Sequence, residues 1–206
     1  YQKAIQYHLD GIKQAKSLVS SSDGDVRSQA RRILLDAHLA IANDIAWGDW
    51  QNKETVVPKW LSISEALLDS LLNHAAEDSA ISLYVQQQTL SAYMGIGGEL
   101  DGEHMVEALT KTYNELMESN SDVLFKQKVR WMTGSALYCA GRIAQQQGKS
   151  QDALRNATDA HHLLTMVAED RDVVPRSEIL VGDACFLIGS LHAVYKNDHS
   201  IWGDYL

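Results

Sequence analysis

The sequence predicts an all-α protein. Only 2 prolines occur among 206 residues, and the helix formers Ala, Leu, Gln and Glu are abundant while alternating β-branched runs are few. Apolar residues recur at steps of three and four, the period of one helical face. The stretches that carry them are separated by short Gly, Ser and Asp punctuation. The clearest case is LYCAGRIAQQQGKSQDALRNATDA, 137–160, where Ala140, Gly141 and Ala144 precede Gly148, and Ala153, Ala157 and Ala160 follow it. Gly148 suits the left-handed position past a helix end, and the Ser150 hydroxyl can cap the next helix. Two helices joined by so few residues lie antiparallel. Small residues on the facing stripes let the two backbones approach closely.

Taken in order, 1–20 is a helix through Ala4, Ile5, Leu9, Ile12, Ala15 and Leu18. Residues 20–25 form a loop and capping region. The next helix, 27–47, puts Ala30, Ile33, Leu34, Ala37, His38, Ile41, Ala42 and Ile45 on one face and ends at Gly48. Residues 50–57 are a connection closed by Pro58, which reads as a helix start. A helix follows to Ala76. Another begins at 77–80, passes through Leu83, Tyr84, Leu90 and Tyr93, and ends at Gly95, Gly97 and Gly98. Asp101 is the expected N-cap of a helix through Met105, Leu109, Tyr113 and Leu116. Asn120, Ser121 and Asp122 cap a long helix to Gln147, and the return helix runs over 151–168. Residues 169–172 make a charged loop, Pro175 opens a helix to about Lys196, and 199–206 begins a last one. No strand is expected.

These helices pair as hairpins over about 25–76, 78–119, 122–169 and 175–206, preceded by a lone helix over 1–20, in one repeat domain. The chain opens at Tyr1 within a helix, so it reads as a fragment of a longer protein or a processed one.

The 137–160 stretch resembles a tetratricopeptide repeat, whose signature runs Trp-x-x-Leu-Gly-x-x-Tyr, then Ala-x-x-x-Phe, then Pro. Leu137 stands at the Trp, Ala140 at the Leu, Gly141 at the Gly, Ala144 at the Tyr, Ala153 at the Ala, Ala157 at the Phe and Thr165 near the Pro. The large aromatics and the Pro are missing. A second match places Cys185, Ile188, Gly189 and His192 in the first helix, with Ile201 and Tyr205 in the second. Gly141 and Gly189 are 48 residues apart, longer than the family's ~34. The resemblance is carried over 137–206 and extends to the rest by turn positions alone. It implies antiparallel hairpins stacked as a right-handed α-solenoid, in which neighbours bury the faces that one hairpin cannot.

The resemblance further implies a concave groove lined by the first helix of each pair, holding a peptide or a partner helix. Its family positions fall on Ser135, Tyr138, Arg142, Gln145 and Gln146 in one hairpin, and on Asp183, Phe186 and Ser190 in the next. A less direct alignment adds Asp36, Leu39, Asn43 and Trp47. The Lys and Asn set with which some members grip a terminal carboxylate is not reproduced. The function read from this is a non-enzymatic protein-interaction or scaffold module. The alternatives are a ligand- or peptide-sensing domain governing an attached effector, and a helical enzyme.

Net charge is −9 with no Lys or Arg block, which disfavours phosphate backbones and anionic bilayers. No apolar run approaches the ~20 residues that span a bilayer, and a soluble protein is expected, in the cytoplasm more than elsewhere. The partner is therefore expected to be a protein or peptide, with self-association through the open end hairpins as an addition. Cys139 and Cys185 sit in apolar helical stretches and are expected in the core; whether they approach one another is left to geometry.

No cofactor or metal is expected. Among the 8 His residues, His161 and His162 are adjacent and diverge on a helix, and neither His-Glu-x-x-His nor Cys-x-x-Cys occurs. His38 and His192 fall on apolar faces and read as core or groove residues. Gly95-Ile96-Gly97-Gly98 follows a helix rather than a strand, so it reads as a bend and not as a phosphate loop. Trp47, Trp50, Trp60, Trp131 and Trp202 are read mainly as packing, with Trp47 and Trp50 flanking a turn where an aromatic anchor could be exposed.

Overall fold

The computed structural model describes residues 1–72, 80–98, 102–168 and 177–196. It is all-helical, with no strand among the described residues. The helices are α1 (Gln2–Leu18), α2 (Gly24–Trp47), α3 (Lys53–Leu72), α4 (Ala80–Ile96), α5 (Gly102–Ser119), α6 (Val123–Gln146), α7 (Ser150–Ala168) and α8 (Ser177–Leu191), the last running into one wide turn over His192–Lys196. The expected helix over 199–206, the Asp101 cap, the 169–172 loop, the Pro175 start and the positions of Ile201, Trp202 and Tyr205 lie outside the described residues.

The chain divides into two compact units, Tyr1–Gly98 and Glu99–Leu206. In the first, α2 packs on α1, α3 and α4, and α3 packs on α4. In the second, α6 packs on α5, α7 and α8, and α7 packs on α8. Among the described residues, both units thus place four helices in the same internal order around a 24-residue hub. The expected hairpins 25–76 and 122–169 correspond to α2–α3 and α6–α7. The expected hairpin 78–119 takes its first helix from one unit and its second from the other.

Local chemistry explains the hub helices. The Asp23 carboxylate accepts the backbone N–H groups of Asp25 and Val26 at 2.9 and 3.3 Å. Asp122 does the same for Leu124 and Phe125 at 2.8 and 3.1 Å. Each satisfies donors that a helix start leaves orphaned. At the far end of α6, Gly148 lies at φ +74°, and the Lys149 and Gly148 amides return to the Ala144 and Gln145 carbonyls at 2.9 and 3.1 Å. That is the Schellman closure expected of a Gly past a helix end. Gly97 (φ +64°) and Gly98 close α4 in the same way on Met94 and Tyr93, so the glycine-rich segment is a bend, and Gly95 belongs to the helix.

Two boundaries differ from expectation. Helix α3 starts at Lys53, and Pro58 lies inside it. Asn52, at φ 57°, turns the chain early and its carbonyl takes the Thr55 and Val56 amides at 3.0 and 3.1 Å; Asn tolerates the left-handed region better than most residues. The helix then absorbs the one amide donor that Pro58 lacks. Ser150 is the first residue of α7 rather than its cap, since the Ala153 amide already bonds Lys149.

The core of the first unit runs through Leu35, Leu39, Ile41, Ala42 and Ala46 on α2, against Val57 and Leu61 on α3 and Ala92 and Ile96 on α4. In the second unit Ala144, Ala153 and Ala157 join Leu187, Ile188 and Leu191 of α8. The small stripes do bring α6 and α7 together. A methyl added at Gly141 would sit 3.3 Å from the Ala153 oxygen and the Ala157 nitrogen, and one at Gly134 would sit 2.8 Å from Leu164.

Candidate functional site

The expected groove positions lie on the hub helices α2 and α6 and on α8. In the first unit they meet α4. Asn43 on α2 donates to the Gln88 side-chain oxygen at 3.1 Å and to its backbone carbonyl at 3.2 Å, and also to Leu39 at 3.1 Å. Gln88 in turn donates to Gln87 at 2.8 Å. The Trp47 indole N–H points at the Ser91 hydroxyl, 3.4 Å away, and its ring stays 47% exposed. Asp36 is 3.7 Å from Arg32 one turn earlier. Burial raises the Tyr84 hydroxyl pKa; the Asp36 carboxylate raises it further and Arg32 opposes. Leu39 is fully buried and lines no surface.

The α2–α4 seam therefore carries polar pairs, Asn43 with Gln88 and Trp47 with Ser91, each bonded across the two helices. Tyr84, Gln88 and Ser91 were not among the expected residues. The Gln86-Gln87-Gln88 run is a polar interruption of a largely apolar helix, but nothing local paired Gln88 with Asn43.

One lysine fixes this seam from the side. Lys53 Nζ donates to the Ala46 carbonyl at 2.9 Å and the Gly95 carbonyl at 3.1 Å. Both are acceptors near helix ends, where the backbone dipoles sum to partial negative charge. The ends of α2 and α4 are close there, because a methyl on Gly95 would sit 3.1 Å from Ala46.

In the second unit the seam is α6 against α8. Tyr138 is half-buried and packs on the Leu187, Ile188 and Leu191 cluster. Burial raises its pKa, as does Asp183 across on α8, while Arg142 one turn on lowers it. Arg142 and Asp183 thus both act electrostatically on the Tyr138 phenol. Phe186, one turn beyond Asp183, is 61% exposed. Gln145 is partly buried and Gln146 exposed at the end of α6. Ser135 is buried, and the Ser190 hydroxyl is turned back on Leu187 at 2.8 Å, so these two contribute little surface. Arg142 has no carboxylate within salt-bridge distance among the described residues, unlike Arg32 and Arg155.

A trough of ≈ 560 Å³ lies along α5, lined by Val106, Glu107, Thr110, Lys111 and Asn114 among others, with Arg155 of α7. None of the expected groove residues reaches it. Of the histidines, His38 is buried; its Nδ1 donates to the Leu34 carbonyl at 2.6 Å and its ring lies 5.2 Å from that of Trp60. Burial lowers its pKa; the Leu34 bond opposes this and Lys16 adds to it. Cys139 is buried and Cys185 partly so, both as free thiols. Among the described residues no cluster of three or more His, Cys, Asp or Glu could hold a metal ion, and no helix is long and apolar enough to cross a membrane. No family model, no curated protein and no solved structure matches the chain.

Proposed function

We propose that the chain is a tetratricopeptide-like interaction module, its hairpins stacked as a right-handed solenoid, and that it holds a peptide or partner helix along the α6–α8 seam. One observation carries this reading. The seam sets a half-buried phenol, Tyr138, within the influence of a guanidinium on its own helix and a carboxylate on α8, and carries an aromatic ring that is mostly in water. Exposed aromatics and Arg are enriched where binding energy concentrates. Tyr138, Arg142 and the Gln145 and Gln146 amides offer donors to a peptide backbone, Asp183 takes a donor in return, and Phe186 covers an apolar side chain.

The α2–α4 seam is the weaker half of this proposal. Its Asn43, Gln88, Trp47 and Ser91 groups already bond one another, and a ligand there would replace existing hydrogen bonds rather than make new ones. Trp47 is the residue of that seam best placed to touch a partner.

The test is affinity. Peptides selected on the wild-type chain from a displayed library are titrated against Tyr138→Ala and Arg142→Ala by fluorescence anisotropy. Loss of a hot-spot side chain costs at least about 2 kcal/mol, or roughly thirtyfold in Kd. Unchanged affinity in both variants overturns the assignment of this face.

A further inference from the structure

Asn156 is a buried polar residue that the α6–α7 stripe does not need. It lies on α7 one turn after Asp152 and is only 4% exposed. Its Oδ1 is fully buried and accepts no hydrogen bond from the described residues. A buried acceptor left unmade is costly, and native interiors rarely contain one. Asn156 also lines a niche at the closed end of the hairpin, together with Ala140, Ile143, Ala144, Gln147, Lys149, Asp152 and Arg155. A water-sized sphere has ≈ 10 Å³ to move in there, close to the lower limit of about 10–15 Å³ for holding one water.

The lining chemistry selects the occupant. A free anion would face the Asn156 oxygen and the Asp152 carboxylate. A free cation would face Lys149 and Arg155, the latter already bonded to Asp152 at 3.0 Å. What fits is a single neutral molecule that both gives and takes hydrogen bonds. From these observations we infer that the niche is a binding site for one resident water, which donates to Asn156 Oδ1 and accepts from the polar groups of the α6–α7 turn. The water ties the last turn of α6 to the first turns of α7, beside the turn that Gly148 makes between them. It accounts for an Asn where the facing stripes otherwise carry Ala and Gly.

Two measurements decide this. A crystal structure of the full chain, at a resolution that reveals ordered solvent, is expected to show one water within about 2.7–3.2 Å of Asn156 Oδ1 and within the same distance of a second polar group of the niche. A protein donor on that oxygen, or a niche without solvent density, overturns the inference. Independently, Asn156→Leu fills the niche and removes the acceptor. If the oxygen is hydrated, the variant gains nothing and its Tm is equal to or below that of the wild type. If the oxygen is dry, relief of the orphan raises Tm by at least about 2 °C, which contradicts the proposal. The wild-type crystal keeps the answer independent of how well the variant folds.

Discussion

Gly141 of α6 meets Ala153 of α7 so closely that a methyl group on the glycine would lie 3.3 Å from the Ala153 carbonyl oxygen. Side chains larger than a methyl have no room there. Gly141→Leu is expected to destabilise by about 1–3 kcal/mol through overpacking, measured by urea denaturation. Gly182 on α8 is the control, because a methyl there meets nothing within 4 Å. Gly182→Ala is expected to stabilise by about 0.5–1 kcal/mol through backbone entropy alone. Equal effects at the two sites would remove the case for a close-packed hairpin.

Lys53 holds the ends of α2 and α4 through the Ala46 and Gly95 carbonyls. Lys53→Met keeps the aliphatic stem and removes the charge. The expected cost is about 1–3 kcal/mol, with faster amide exchange in the last turn of α4. No change in exchange there would show that the ammonium does not hold the seam.

His38 gives the chain a pH dependence of definite sign. Burial lowers its pKa in the fold, and burial followed by His162 does the same for His161. The unfolded chain takes up these protons near pH ~6.5, so it binds more protons than the fold below that value. The contribution is fully present above pH ~6.5 and is lost as pH falls through it toward the lowered folded values. Unfolding free energy is expected to drop as pH falls below about 6.5, and the drop is expected to shrink in His38→Gln. A variant with the wild-type slope would move the effect elsewhere.

The two thiols are expected to differ in reactivity. Burial pushes the Cys139 pKa up to about 12, and the thiolate is the reactive form. Cys185 is also raised, but it is partly exposed. A native-state thiol assay is expected to label Cys185 and to leave Cys139 untouched until urea is added. Fast labelling of both would contradict the burial of α6.

Much of the fold was legible locally. Asp23, Asp122 and Gly148 mark their helix ends by chemistry that needs only near neighbours, and the Ala and Gly stripe around Gly141 announces a close approach. Where the expectation missed, the deciding residue was distant or unusual. Pro58 looked like a start because the left-handed turn at Asn52 leaves no strong mark in the sequence. Asn43 looked like a free groove amide because Gln88, which occupies it, lies 45 residues away. Tyr138 and Asp183 are likewise far apart in the chain, and only the packing of α8 lets the Asp183 charge act on the Tyr138 phenol.

The most direct measurement of where a partner sits is site-specific photo-crosslinking with a selected peptide. A photoreactive residue at Phe186 or Gln146 is expected to capture the peptide, while one at Thr110, in the trough of α5, is expected to capture none. Capture at Thr110 with none at Phe186 or Gln146 would place the partner on α5 and contradict the account.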